Sequence, residues 1–462
     1  MAEYRTRGTH PLARGVMVVV VALLCAGAPL WATGADEGAS AEGMQPAELT
    51  FTFWGSPFER EAVDLMVAAF NEANPNIEVR GQHIPDGYAE KIATMVAGGT
   101  PPDLGYLNEQ QAFLWAIEGV ILDLTPHFKA DPEASNRLEA SYYNYDGGSK
   151  TIGTNTAAET MVLYYNKTLF DEAGVDYPPS DASMAWTWEE FVAVAKQLTV
   201  DRSGNNANSD AFDPQNIDVF GVSFPTWWGG YLPMVYSNGG QLASDDGSKL
   251  LLNEPEAVEA LQAIQDLVYV HHVAPTPAQS EALPSASVMM QSGKVAMAVN
   301  GHWAILDYSQ LEFDWSLGVL PYHVEPTTIL LGSPTVIYAA TEHPDEAFEF
   351  YKFHNDPTEV DLYAKGLWMP LRLDYYTDPS KTAEWLDAIP GVYPPEARGV
   401  LIDYTLNNTT RQPPAYWLKN ANQIFSEAIG PAISKLWAGE ATAQEAMDQA
   451  VRDAGPLMQG RW

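Results

Sequence analysis

Between Leu49 and Tyr106 the hydrophobic period switches between strand and helix four times in under sixty residues, and few folds accept such a segment. Leu49-Thr50-Phe51-Thr52-Phe53 alternates as a half-buried strand does, while Trp54 falls on the opposite parity and is expected to leave the sheet at the strand's carboxyl end. Gly55-Ser56-Pro57 turns the chain. Ser56 with Glu59 three residues on forms a capping box, and Pro57 suits the first helical position. The helix stripe reads Phe58, Ala62, Leu65, Met66, Ala69 and Phe70, and Asn74-Pro75 ends it. A short strand at Ile77–Val79, a helix over Tyr88–Ala97 and a strand over Asp103–Tyr106 follow, separated by Gly98-Gly99 and Pro101-Pro102.

Alternation of this kind predicts a mainly parallel sheet with helices on both faces. Ligands of such sheets sit outside the strands' carboxyl ends. That topology puts Trp54, Gly55, Ser56 and the run Tyr106–Gln111, with Asn108, Glu109 and Gln110, at a predicted mouth; Asn108 and Ser56 also suit helix caps. Later signals repeat the pattern. Thr187 with Glu190 starts one helix, Asn253-Glu254-Pro255-Glu256 another, and Val295–Val299 reads as a buried strand.

The amino-terminal segment carries an address. Arg5, Arg7 and Arg14 precede an apolar run, Val16–Leu24, too short for an ordinary membrane span, so residues 1–35 are expected to be a signal peptide for export to a periplasmic or extracellular space. Cys25 offers lipid attachment as an alternative, against which the bulky Leu24 stands. It is the only cysteine, so the body has no disulfide and no thiolate metal site. Residues 36–46 are Ala/Gly/Glu/Ser-rich and read as a flexible tether.

The remaining chain exceeds the roughly 250–300 residues at which single cores stop growing, which allows two domains. It is strongly acidic: residues 1–35 hold three Arg and one Glu of the 24 basic and 60 acidic residues, leaving 21 against 59. Such a surface repels nucleic acid and anionic lipid and favours neutral or cationic ligands. The Asn/Asp-rich stretch 201–213, with Asp201, Asn205, Asn208, Asp210 and Asp213, lacks the central Gly and terminal Glu of an EF-hand loop, so no metal is assigned. His271-His272 and His302 lack a metal-like carboxylate pattern, and no cofactor is expected.

Several stretches, in order, resemble the extracellular solute-binding proteins of carbohydrate ABC transporters, of the maltose and oligosaccharide type. They are Trp54-Gly55; Phe70-Asn71-Glu72-Ala73-Asn74-Pro75; Gly99-Thr100-Pro101-Pro102-Asp103-Leu104; Leu163-Tyr164-Tyr165-Asn166-Lys167-Thr168-Leu169-Phe170; Trp186-Thr187-Trp188-Glu189-Glu190-Phe191; Ser292-Gly293-Lys294-Val295-Ala296-Met297; and Gly301-His302-Trp303. The resemblance implies two α/β lobes joined by three crossing segments, near Thr154–Glu159, Leu317–Pro321 and Lys365–Pro370, closing about a carbohydrate that is handed to ABC permease subunits in the membrane. The lobes would be 47–155 with 320–365, and 156–319 with 366–462, in a monomer without enzymatic activity. Where a Gly-aliphatic-Pro step often precedes the first crossing, this chain reads Thr151-Ile152-Gly153-Thr154-Asn155.

A sugar offers C–H-rich ring faces, which suit aromatic rings, and a belt of hydroxyls, which suits paired polar groups. The chain has fourteen Trp and twenty-two Tyr. In Phe224-Pro225-Thr226-Trp227-Trp228-Gly229-Gly230-Tyr231 two adjacent Trp cannot both face one core, so Trp227, Trp228 and Tyr231 are candidate ligand contacts. The resemblance adds Trp303 as a stacking residue, Glu159 with Tyr165 six residues on as a lining of the second lobe, Trp368 at a crossing, and Gly332, Ser333 and Arg372 by family position. Two rival readings remain: a secreted glycosidase using Glu109 and Glu159, and the same fold binding a phosphorylated polyol or a peptide. No Arg/Lys cluster lies near the predicted mouth, which speaks against a phosphate.

Overall fold

A computed structural model describes residues 46–356, 361–408, 413 and 416–462. The expected signal peptide, Cys25 and all but the last residue of the tether lie outside the described residues. In chain order the strands are β1 (Ala47–Phe53), β2 (Ile77–His83), β3 (Leu104–Tyr106), β4 (Tyr142–Tyr145), β5 (Lys150–Thr154) and β6 (Glu159–Asn166). They continue as β7 (Val200–Asp201), β8 (Ile217–Ser223), β9 (Val295–Gly301), β10 (Trp315–Gly318), β11 (Leu330–Leu331) and β12 (Thr335–Ile337).

The opening segment folds as its periodicity dictates. Helix α1 (Pro57–Ala73) links β1 to β2, and α2 (Tyr88–Ala97) links β2 to β3. The first sheet has the order β12-β3-β1-β2, with β1 parallel to both β2 and β3 and β12 antiparallel at the edge. Leu49, Phe51 and Phe53 face its core, and Phe51 meets Phe350 of the helix Pro344–His354 at 5.1 Å. The stripe of α1 differs from the reading at four positions: Val63 and Val67 are buried, whereas Phe58 and Leu65 are half exposed. The start at Pro255 holds, but Glu254 occupies the cap position, and Asn253 donates instead to Asp448 of the last helix at 2.9 Å.

The second sheet departs from the mainly parallel expectation. Its order is β10-β6-β9-β8-β7, with β11 also on β6, and only β8–β9 is parallel. The cause is the path of β6, which enters straight from a crossing and so runs opposite to β9. Its amino end therefore lies beside the carboxyl ends of β8 and β9. All of β6 is buried, with Met161, Leu163 and Tyr165 in one core and Val162 and Tyr164 in another, as befits a central strand covered on both faces.

Two crossings can be traced along the backbone. Residues 155–158 run from β5 to β6, and the Ala158–Met369 bridge sets a later segment beside them. The remaining crossing is corrected. Leu317 belongs to β10, and Leu330–Leu331 pairs with Thr160 and Glu159, so the chain passes back to the first sheet at residues 332–334, and 320–331 stays with the second lobe. In the loop 201–213, Asp201 accepts the backbone N–H groups of Ser203, Asn205 and Asp213, so its carboxylate is used by the loop itself.

Candidate functional site

A hollow of about 200 Å³ opens where the carboxyl ends of β1 and β3 meet the amino end of β6, the carboxyl end of β9 and the three crossings. Trp54 and Tyr106 come from the first sheet, and Glu59 from the first turn of α1. Thr156, Ala157, Gly332, Ser333, Leu367 and Trp368 come from the crossings, and Glu159 and Trp303 from the second lobe. The hollow thus gathers six of the residues singled out in the sequence: Trp54, Glu159, Trp303, Gly332, Ser333 and Trp368.

The indoles are held by close backbone approach. The Trp303 ring lies over Gly301 and the Trp227 ring over Gly229, each so close that a Cβ on the glycine would overlap the ring. Trp303 is 36% exposed and Trp227 40%, with ring centroids 6.3 Å apart, so Trp227 continues the wall that Trp303 begins. Trp228 turns the other way and stacks on Phe425 at 6.0 Å, within the second lobe. Opposite, Trp54 meets Tyr106 at 5.1 Å and Tyr88 at 4.9 Å, both edge-on.

Glu59 was read only as half of a capping box. Ser56 Oγ does accept the Glu59 N–H at 3.2 Å. Gly55, at φ +136°, frees the space that the Glu59 carboxyl fills, since a Cβ there would collide with it. A glycine after the strand and a glutamate four residues on were the only signal, and helix geometry alone does not reveal the collision. Burial, and then the nearby Glu159, push the Glu59 carboxyl up to about 7, partly offset by the Ser56 backbone N–H.

Glu109 does not line the hollow but bonds to Ser333, which does; burial pushes it up to about 7 as well. Glu159 is buried, its Oε2 lies 3.2 Å from His302 Nδ1, and desolvation raises it well above the ordinary carboxylate range despite the Trp303 backbone N–H. His302 is fully buried and pushed down to about 3 by the same desolvation. Burial thus favours a protonated carboxyl beside a neutral imidazole, and His302 is a structural support, bonded also to Tyr393 at 3.3 Å.

Several expected contacts fall elsewhere. Tyr165 is fully buried against Phe170 and Tyr177, each at 5.3 Å. Six steps along the strand separate it from Glu159 by about 20 Å, which carries it away from the crossings. Tyr231 is buried inside the helix Trp228–Ser237 and faces Trp437. Arg372 lies in a different hollow of about 360 Å³ and is paired with Asp374 at 2.7 Å and with Asp356 and Glu133 at 3.5 Å. Ser56 is exposed and Asn108 caps α3 (Glu109–Ile117) by accepting the Gln111 N–H at 2.9 Å; neither lines the hollow. Gln110 is buried and donates to the Leu418 carbonyl at 3.2 Å.

The raised carboxyls have a measurable consequence. A folded Glu59 holds its proton until about pH 7, whereas the unfolded chain releases it near 4.5, so its contribution to stability falls as pH rises through that window. His302 and His354, pushed down to about 3 and 4, act in the opposite sense below 6.5, so the comparison must be between variants. Glu59→Gln is expected to gain roughly 2 kcal/mol on the parent between pH 5 and pH 8 after allowance for partial exposure, read from denaturant unfolding at both pH values.

Comparison with known proteins agrees with this architecture. The model of the bacterial extracellular solute-binding protein family matches residues 56–359, well over half of the chain. An arabinooligosaccharide-binding protein of Halalkalibacterium halodurans is 28% identical over 261 residues, which are 54% of this chain and 53% of that relative. The chain therefore spans only about half the length of this relative. The sn-glycerol-3-phosphate-binding periplasmic protein UgpB of Brucella melitensis is 24% identical over 85% of this chain and 88% of its own. Among solved structures, the ABC substrate-binding protein Lmo0181 from Listeria monocytogenes, in complex with cycloalternan, superposes with a TM-score of 0.75 at 27% identity, covering 90% of this chain and 99% of that one. All three are binding proteins, and the last shares this two-lobed fold. On the extent of the family match and this agreement in fold, the chain belongs to the bacterial extracellular solute-binding protein family.

Proposed function

We propose that the protein captures a mono- or oligosaccharide in the hollow between its lobes and delivers it to the permease subunits of an ABC importer. One observation carries the reading: rings and carboxyls from both lobes face a single hollow that residues of all three crossings also line. Trp54, Tyr106, Trp303 and Trp368 offer faces and edges to sugar C–H groups, while Glu59, Glu159 and Ser333 offer hydrogen bonds to hydroxyls. The binding of arabinooligosaccharide and cycloalternan by the relatives named above supports the same class. Contacts to both lobes exist together only when the lobes are close, so the ligand shifts the population toward closure by its differential affinity.

The similarity to UgpB raises a glycerol phosphate as the rival ligand. Against it, no Lys or Arg lines the hollow among the described residues, and Arg372 is committed to three carboxylates elsewhere. Export through a signal peptide in residues 1–35 and action as a monomer complete the proposal, as does the absence of turnover. Calorimetric titration with neutral mono- and oligosaccharides and with glycerol 3-phosphate tests it. Saturable heat with at least one sugar is expected. Heat with glycerol 3-phosphate alone, or hydrolysis of a labelled oligosaccharide during the titration, would overturn it.

A further inference from the structure

The hollow holds carboxyls without a basic side chain to balance their ionised forms. Glu59 and Glu159 line it, and Glu109 stands behind Ser333. Among the described residues no Lys or Arg lines the hollow, and no Lys or Arg forms an ion pair with any of the three. The nearest imidazole, His302, is buried and bonded to Glu159 and Tyr393, and desolvation keeps it neutral. Glu159 disfavours the ionisation of Glu59, and no cationic side chain in the lining offsets either carboxyl.

The walls add a second property. Trp54, Tyr106, Trp303 and Trp368 surround the same space, and electron-rich ring faces attract a cation as well as a sugar C–H. The chain as a whole carries a net charge of −36, so cations are drawn toward the molecule. The basic side chains that could have offset the carboxyls lie in the first-lobe hollow, where Arg372 pairs with Asp374 and Lys352 with Asp131.

We infer that the solute this hollow selects is an amino sugar: a mono- or oligosaccharide bearing a protonated amine, seated against the Glu59 and Glu159 carboxyls, with Glu109 behind Ser333, and among the four aromatic rings. The inference rests on the carbohydrate reading and narrows its substrate class. The amine donates hydrogen bonds that a hydroxyl also donates, but it brings the positive charge that the carboxyls lack. Bringing it in favours their ionised forms, and the burial that penalises those forms in the empty hollow then strengthens the attraction. A phosphorylated or carboxylated sugar meets repulsion at the same place.

Matched pairs test this by calorimetry near pH 7. The probes are methyl α- and β-D-glucosaminide and the β-1,4-linked di- and trisaccharides of glucosamine, each against its counterpart with hydroxyl or N-acetyl in place of the amine. Expected is binding roughly tenfold or more tighter for the amine in at least one pair. In Glu59→Gln the amine-to-hydroxyl ratio is expected to fall toward one. The ratio, unlike affinity alone, does not move when a variant merely loosens the site. Equal or tighter binding of the neutral partners in every pair overturns the inference and leaves the carbohydrate reading standing. An amine preference unchanged in both Glu59→Gln and Glu109→Gln overturns the assignment to these carboxyls. No heat with either kind of sugar, in these pairs or the neutral panel, overturns both readings.

Discussion

Replacing Trp303 by Ala is expected to weaken carbohydrate binding about 30-fold, close to 2 kcal/mol, while leaving the unfolding free energy nearly unchanged. Two observations separate the effects. The ring is 36% exposed and rests on Gly301, so the folded core loses little when it is removed. It also forms the second-lobe wall of the hollow with Trp227, so a bound sugar would lose its platform. Calorimetry gives the affinity and urea unfolding the stability. A variant that unfolds earlier by several kcal/mol, or binds as the parent does, would show that the indole serves packing.

The second large effect is expected at Glu159. Glu159→Ala removes the partner of His302 Nδ1 and of the Trp303 backbone N–H in a buried setting, which costs about 1–3 kcal/mol of stability, and it should also lower sugar affinity strongly. Glu159→Gln keeps the length and one donor and acceptor each, so it should recover most of the stability. Recovery of binding is expected to be smaller, because the carboxyl also lines the hollow. Paired unfolding and binding measurements on both variants separate these roles. Equal stability loss in the two would contradict the hydrogen-bonding account.

The fold was legible where local signals agree. In the β1 to β3 segment, strand parity, Gly and Pro punctuation and the Ser56 cap all point the same way, and the element order follows. The second sheet was less legible because β6 takes its direction from the crossing, a long-range fact that no local period records. The same limit explains the displaced crossing. Leu330–Leu331 is a two-residue strand, too short to leave a pattern, yet its pairing with Thr160 and Glu159 fixes where the chain turns back.

At the site, residues fixed by topology were legible and residues fixed by side-chain reach were not. Trp54 follows a strand whose parity expels it, and Trp303 follows a glycine after a buried strand; both face the hollow. Tyr165 and Tyr231 have the right composition but lie deep in a strand and a helix whose faces are covered by the second lobe's own core. Arg372 stands only four residues past Trp368, yet the carboxylates of Asp374, Asp356 and Glu133 draw it into another hollow. Glu59 was hidden because a helix cap and a hollow-facing carboxyl look alike in sequence, and only the bare Gly55 beside it tells them apart.

The most direct test of capture between two lobes is amide hydrogen exchange with and without the tightest-binding sugar. Protection should rise together in residues 54–59 and 104–106 of one lobe, 159–160 and 301–304 of the other, and the crossings at 155–158, 332–334 and 366–369. Protection confined to one lobe, or centred on the separate second-lobe hollow around Phe224, Tyr269 and Trp437, would contradict the account.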